Sequence, residues 1–290
     1  MHLVRIRHLF YPDMPRDYFF ELCQRQVAFG YRVGLVTWNK SGNSLPSQSV
    51  EGFTIFRLPG PNVGFSFLPE YPFLPSLPKV VSTLMPDIIH AESHLFLPTA
   101  QAIRTAARLK VPGIVTVHGL RVSRGPLVDL AEGLYLRTVA RRVFETASRV
   151  ICLTDVDARD TVEYGCPAGK ISVIPNGVDS ELFRPGDKPT EKLILWTGRF
   201  VPEKGLPILL RAAKTVAARV EGVKFLLVGF GPGRSEIERM ARDMGLSPGI
   251  VEFEGPVTRE EVAQILRRAM VFAFPSLQEG LPLSLLEAMA

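Results

Sequence analysis

Apolar runs of strand length alternate with longer amphipathic segments along most of the chain, and the alternation starts afresh once. Strands joined through helices cannot pair as hairpins, so this pattern imposes βαβ units and parallel sheets covered on both faces. In the first half, residues 33–37, 88–90, 114–118 and 149–153 read as strands, with helices over 18–29, 99–109 and 130–146. A proline-rich loop, 59–78, interrupts that order. A turn signal at Ile174-Pro175-Asn176-Gly177-Val178-Asp179 and a Pro-, Gly- and charge-rich stretch over 183–189 have the composition of a linker. Four more strands follow, 192–198, 223–229, 250–255 and 271–276, with helices between them. The economical reading is two consecutive α/β domains, 1–184 and 185–290, in a length that suits two ordinary domains.

Composition narrows the partners. Hydrophobic residues at 46% and charged residues at 22% leave ample core for a soluble globular protein. Cys23, Cys152 and Cys166 are widely spaced, odd in number and without a CxxC pair, which points to a reducing compartment and away from a metal site. No apolar run reaches the roughly 18 residues of a membrane span, and Arg5 and Arg7 interrupt what a signal peptide would need as its apolar centre. A cytoplasmic protein is expected. The net charge of +5 is spread among acids without a basic run, so no nucleic-acid partner is expected. The densest basic cluster is Arg137, Arg141, Arg142 and Arg149, three of them on one expected helix. A solvated face explains it plainly; peripheral contact with anionic lipid at the inner membrane face is the alternative.

The groups with chemistry gather after strands. In the last dozen residues Glu279 and Glu287 bracket a Gly280-Leu281-Pro282 turn that opens a helix. Free amides and the macrodipole at a helix start favour an anion, and flanking carboxylates accept hydrogen bonds, so the pattern suits a ligand that is part phosphate and part polyol. An ordinary capped helix is the plain alternative. Gly198-Arg199-Phe200-Val201-Pro202-Glu203-Lys204-Gly205 follows another strand. Its Arg199 and Lys204 would place two cations at the carboxyl edge of a sheet, where open α/β folds bind ligands. Leu226-Leu227-Val228-Gly229-Phe230-Gly231-Pro232-Gly233 imitates a dinucleotide fingerprint, but its spacing is GxGxG, Pro232 removes a donor, and it follows the second strand of its domain. His118 ends a strand and precedes Gly119, a position that can line a cleft. His90, Glu92 and His94 form an HxExH run without the helical frame of a zinc site.

Taken together, these motifs resemble the retaining glycosyltransferases of family 4. The matching stretches are Ser172-Val173-Ile174-Pro175-Asn176-Gly177-Val178-Asp179, Gly198-Arg199…Glu203-Lys204-Gly205, Leu227-Val228-Gly229…Gly231-Pro232, Val251-Glu252-Phe253-Glu254-Gly255 and Glu279…Glu287. The resemblance implies the GT-B architecture, two Rossmann-like α/β domains facing each other across a cleft. It also implies sugar transfer, with retained configuration, from a nucleotide-diphosphate sugar to a glycan, lipid-linked or small-molecule acceptor. By position, Arg199 and Lys204 would hold the diphosphate, supported by amides at Gly280 and Leu281. Glu287 would accept bonds from the ribose, Glu279 would contact the donor sugar, and His118 would stand near the reaction centre. The family's same-face attack uses the departing phosphate to help deprotonate the acceptor. It requires no metal and no cofactor beyond the donor substrate.

Two departures stand out. The loop Phe10-Tyr11-Pro12-Asp13-Met14-Pro15-Arg16-Asp17 lacks the family's glycines, so no donor contact is carried onto it. The chain also stops directly after the Glu279–Glu287 motif, so an incomplete second domain of marginal stability and low activity is expected. A non-catalytic nucleotide-sugar-binding remnant and a sugar-nucleotide epimerase of the same fold are the alternative readings.

Overall fold

A computed structural model of the chain describes residues 1–10, 18–40, 42, 46–64, 70–120, 126–186, 189 and 191–290. The described residues divide into two compact units, one ending at Pro175 and the other running from Asn176 to Ala290. The Asn176-Gly177-Val178-Asp179 part of the turn signal thus packs with the second unit.

The first unit contains β1 (His2–Ile6), α1 (Tyr18–Ala28), β2 (Arg32–Trp38), β3 (Ser47–Val50), β4 (Phe53–Leu58), α2 (Leu77–Thr83), β5 (Ile88–Glu92), α3 (Leu97–Leu109), β6 (Gly113–Val117), α4 (Pro126–Tyr135), α5 (Arg141–Thr146), β7 (Arg149–Cys152), α6 (Asp155–Glu163) and β8 (Ile171–Val173). Its sheet runs β3-β4-β2-β1-β5-β6-β7-β8, parallel except for the β3–β4 hairpin. A two-residue turn, Glu51-Gly52, closes that hairpin with both φ positive, at 44° and 91°, the geometry that matches strand twist. Because the sheet is covered on both sides, alternate residues of one strand enter different cores. Val33 and Leu35 pack with Phe19 and Phe20 of α1, whereas Val36 and Trp38 pack with Leu77 and Val81 of α2.

The expected strands of this half are present: those at 33–37 and 88–90 extend to Arg32–Trp38 and Ile88–Glu92, that at 114–118 lies one residue earlier so that His118 falls just beyond it, and that at 149–153 ends at Cys152. The expected helix over 130–146 is part of a longer helical run whose middle, Leu136–Ala140, is a π-helical turn. Strands β1, β3, β4 and β8 and helices α2 and α6 are further elements of this unit, beyond those expected. β1 is wholly buried although Arg5 sits in it. Tyr11 to Asp17, the glycine-free loop, lie outside the described residues.

The second unit contains β9 (Leu193–Arg199), α7 (Leu206–Ala217), β10 (Lys224–Phe230), α8 (Arg234–Asp243), β11 (Val251–Glu254), α9 (Arg259–Arg268), β12 (Val271–Phe272) and α10 (Leu283–Met289). Its parallel sheet runs β11-β10-β9-β12. Trp196 and Phe225 face α7 and α8, while Leu195 and Val228 face Ile265 of α9. Thr258 starts α9 with a capping box to Glu261, satisfying two otherwise orphaned amides. The last strand is shorter than the expected 271–276. After Phe272 one more ladder bond forms, Ala273 N–H to the Leu195 carbonyl at 2.8 Å, and then Pro275, which has no N–H, ends the pairing.

The Gly229 turn shows what the glycine-rich stretch does. Gly229 has φ +144°, and a Cβ there would sit 1.9 Å from the Gly198 carbonyl oxygen of the neighbouring strand. The glycine lets two strand ends touch backbone to backbone. Arg234 closes the same turn, giving hydrogen bonds to the carbonyls of Gly229 at 3.1 Å and Glu254 at 2.9 Å. Gly229→Ala is therefore expected to destabilise the second unit by about 3 kcal/mol or more. Gly222→Ala, at φ +73° with nothing within 4 Å, should cost only about 1 kcal/mol. Urea denaturation midpoints of the two variants check the contrast.

Candidate active site

Each sheet reverses its strand order beside its first strand, between β1 and β5 in one unit and between β9 and β12 in the other. Connections leave in opposite directions there, which opens a crevice at the carboxyl edge. The residues expected from the sequence fall around these two points.

In the second unit, three contacts knit the loop after β9 to the loop after β12. Gly205, at φ +63°, lies so close to the Pro275 carbonyl that a Cβ would come within 2.1 Å of it. The Leu277 amide donates to the Glu203 carbonyl at 2.8 Å. Lys204 Nζ meets Glu279 Oε1 at 2.5 Å, with the two side chains 17% and 22% exposed. Residues 75 apart in sequence are thus one ion pair at the edge of the sheet. Arg199, at the end of β9, is exposed, and its guanidinium has no ion-pair or hydrogen-bond partner among the described residues, whereas its carbonyl accepts from the Val201 amide at 2.9 Å. Lys204 and Glu279 are brought together; Arg199 stands on the same loop with its guanidinium available.

The turn before α10 is fixed by Asn176, whose side-chain amide donates to the Leu281 carbonyl at 2.8 Å. Gly280 and Leu281 form the bend, and Pro282 occupies the N-cap position without a side-chain cap. Glu287 is paired with Arg259 of α9 at 3.0 Å, both side chains 13% exposed. Arg259 lies over the Phe183 ring, 5.0 Å from its centroid. A carboxylate has more acceptor sites than one such bond uses.

In the first unit, strand period and register build a second cluster. His90 and Glu92 are two residues apart on β5 and share a face. The register sets Arg5 of β1 beside His90 and Thr116 of β6 beside Glu92. His118 follows Thr116 by two. As a result Glu92, 5% exposed, binds Arg5 through Oε1, while its Oε2 lies 2.7 Å from His118 Nε2. Arg5 is itself 1% exposed, with its guanidinium over the Phe19 ring. Within the HxExH run the two histidines take different partners: His90 bonds to the Thr116 hydroxyl at 2.7 Å and His94 to the Leu120 carbonyl at 3.1 Å. Ser93, at φ +64°, ends the strand alternation, and His94 packs instead near Phe144.

Burial penalises the charge on Glu92, but the Arg5 guanidinium, helped by the His118 bond, overcomes it and holds the carboxyl well below the usual carboxylate range. Burial, followed by the Arg5 cation, lowers His90 to about 3. Burial, partly opposed by the Leu120 carbonyl, lowers His94 to about 4. Sequence reasoning missed Arg5 and Glu92. The available signal was an arginine inside an otherwise apolar strand, which requires a buried partner.

The sequence profile described as Glycosyltransferase Family 4 matches residues 17–182, and that described as Glycosyl transferases group 1 matches residues 191–290. The chain belongs to glycosyltransferase family 4. It is 32% identical over 228 residues to D-inositol 3-phosphate glycosyltransferase of Nocardia farcinica, covering 70% of this chain and 49% of that protein. The Mycobacterium bovis enzyme of the same name is 31% identical over 224 residues, covering 70% of this chain and 45% of its own. The chain thus spans about half the length of these curated relatives. Among solved structures, sucrose-phosphate synthase from Thermosynechococcus elongatus superposes with a TM-score of 0.76 at 20% identity, over 99% of this chain and 78% of that one. Anabaena HepE in complex with UDP gives 0.71 at 18%, over 100% and 78%. The fold is α/β and GT-B.

The pKa shifts set an acid limit on this glycosyltransferase-family fold. Both histidines are depressed below their ordinary 6.5, so the stability they confer is complete above pH 6.5 and is lost as the pH falls towards 3–4. By pH 5 each costs about 2 kcal/mol. Glu92, also depressed, adds its loss only below its ordinary 4.5. Melting temperature should therefore fall between pH 7 and pH 5, and His94→Phe should flatten that fall. A melt indifferent to pH over that interval would contradict the burial of these rings.

Proposed function

We propose that the chain carries the donor- and acceptor-handling groups of a retaining glycosyltransferase that takes its sugar from a nucleotide diphosphate. The observation that supports this best is the Lys204–Glu279 pair at the strand-order reversal of the second sheet, with Arg199 unpaired on the same loop. A diphosphate brings negative charge, for which the Lys204 ammonium would exchange or share its carboxylate. Arg199 offers the bidentate fork that phosphate oxygens fit. Released from Lys204, Glu279 has acceptor oxygens for donor-sugar hydroxyls, while Glu287, oriented by Arg259, accepts from ribose hydroxyls. The two cations also stabilise the charge that grows on the leaving diphosphate. In same-face attack that leaving group assists deprotonation of the acceptor, so no metal and no covalent intermediate on Glu279 are required.

Isothermal titration with UDP, GDP and ADP tests the site, with UDP first because HepE was solved with it. One nucleotide should bind, with affinity unaffected by EDTA. Lys204→Ala and Glu287→Ala should each weaken binding by roughly 1–3 kcal/mol, or about 5- to 150-fold. Unchanged affinity in both variants would remove the site. Binding without transfer to any sugar, lipid-linked or polyol phosphate acceptor would favour the non-catalytic remnant. An altered donor epimer would favour the epimerase.

A peripheral membrane contact has its own observation. Leu130 and Leu134 of α4, four residues apart, are 72% and 64% exposed, and Arg137, Arg141 and Arg142 follow on the same helical run. Apolar side chains beside a basic face suit the interface of an anionic bilayer. No helix among the described residues is long and apolar enough to cross a membrane. The chain should sediment with anionic vesicles and not with neutral ones, and L130E/L134E should abolish sedimentation.

A further inference from the structure

Glu92 is 5% exposed and held through both of its oxygens. Its two oxygens are divided between two partners drawn from different strands, Arg5 on β1 and His118 just beyond β6. Three statements about His118 follow from that division. An ionised carboxylate has no proton to give, and Arg5 keeps Glu92 ionised, so the hydrogen in the 2.7 Å contact belongs to His118 Nε2. A neutral imidazole protonated at Nε2 carries a lone pair at Nδ1. And Nδ1 has no hydrogen-bond partner among the described residues, on a side chain that is 29% exposed. Gly119, at φ +88°, turns the backbone away immediately afterwards. The Tyr18 ring stands edge-on at 6.4 Å from the imidazole.

We propose that Glu92 is the positioning residue of His118, fixing its Nε2–H tautomer so that Nδ1 presents a hydrogen-bond acceptor to a substrate hydroxyl. This rests on the reading of His118 as a group near the transferred sugar, but the tautomer itself does not. The chemistry selects what His118 can bind: a hydroxyl can donate to Nδ1, whereas a phosphate or carboxylate oxygen, which only accepts, is repelled by its lone pair. Arg5 belongs to the same device. With its charge buried beside Glu92 and over Phe19, it prevents the carboxyl from taking up a proton and reversing the direction of the His118 bond.

The test is long-range proton–nitrogen NMR on chain labelled at its five histidines, at about pH 9, above the ordinary histidine range, with His118→Asn to identify the signals. The expected spectrum shows His118 protonated at Nε2 and bare at Nδ1. A ring protonated at Nδ1, or an even mixture of tautomers, overturns the proposal without any variant having to fold. In Glu92→Gln the fixed tautomer should give way to a mixture. Because that change leaves Arg5 buried without its counter-charge, the double variant R5M/E92Q removes both charges and should show the same mixture. A His118 spectrum unchanged in either folded variant also overturns the proposal. Where transfer is measurable, Glu92→Gln should lower kcat at least tenfold with KM for the nucleotide sugar within about twofold, and Glu92→Asp should restore part of it. A fixed Nε2–H tautomer in a chain that transfers no sugar would leave the positioning role standing and defeat the functional reading instead.

Discussion

Both units depend on the reversal of strand order beside the first strand of a parallel sheet. Once β1 lies between β2 and β5, and β9 between β10 and β12, the connections on either side depart towards opposite faces. The carboxyl edge at that point is the place where loops cannot fill the surface. Arg5, Glu92 and His118 collect at one such edge, and Arg199, Lys204 and Glu279 at the other. The helices elsewhere serve to cover the sheet faces and to hold these edges in register.

The two edges achieve their electrostatics differently. In the second unit the charges of Lys204 and Glu279 are partly exposed. The rigidity comes from backbone contacts, Gly229 against Gly198 and Gly205 against Pro275, where no side chain would fit. In the first unit the charges are buried, and rigidity comes from the ion pair itself. A buried pair adds little net stability, but losing one partner is costly, and that cost keeps Arg5, Glu92 and His118 in a single arrangement. One edge keeps its charges partly exposed and the other buries them.

Much of this was legible in the chain. The strand at 193–199 and the loop after it, the pairing of cations with that loop, and the carboxylates around Gly280 and Pro282 were all apparent, because each depends on residues close in sequence. The GxGxG stretch departs from the dinucleotide fingerprint in its spacing, and in the structure it forms a tight strand-end turn. Its real role, close strand contact closed by Arg234, depends on a neighbour thirty residues away. The Lys204–Glu279 pair and the bond between Glu287 and Arg259 were not legible, since both join segments separated by whole βα units. Strand β3 escaped notice because Val50 is its one apolar residue, and β8 because it is only three residues long.

The residues alone determined that the chain must build parallel sheets from βαβ units, that it would do so twice, and that it belongs with the family 4 glycosyltransferases. Hydrophobic periodicity and turn chemistry are local properties, and they survive in a linear reading. Tertiary structure decided which charges meet. Register is what places Arg5 opposite His90 and Thr116 opposite Glu92, and so turns three separated residues into one hydrogen-bonded line. A shift of one residue would send each of those side chains to the other face of the sheet. Register is set by the packing of every strand against its neighbours at once, and no single stretch of sequence contains it.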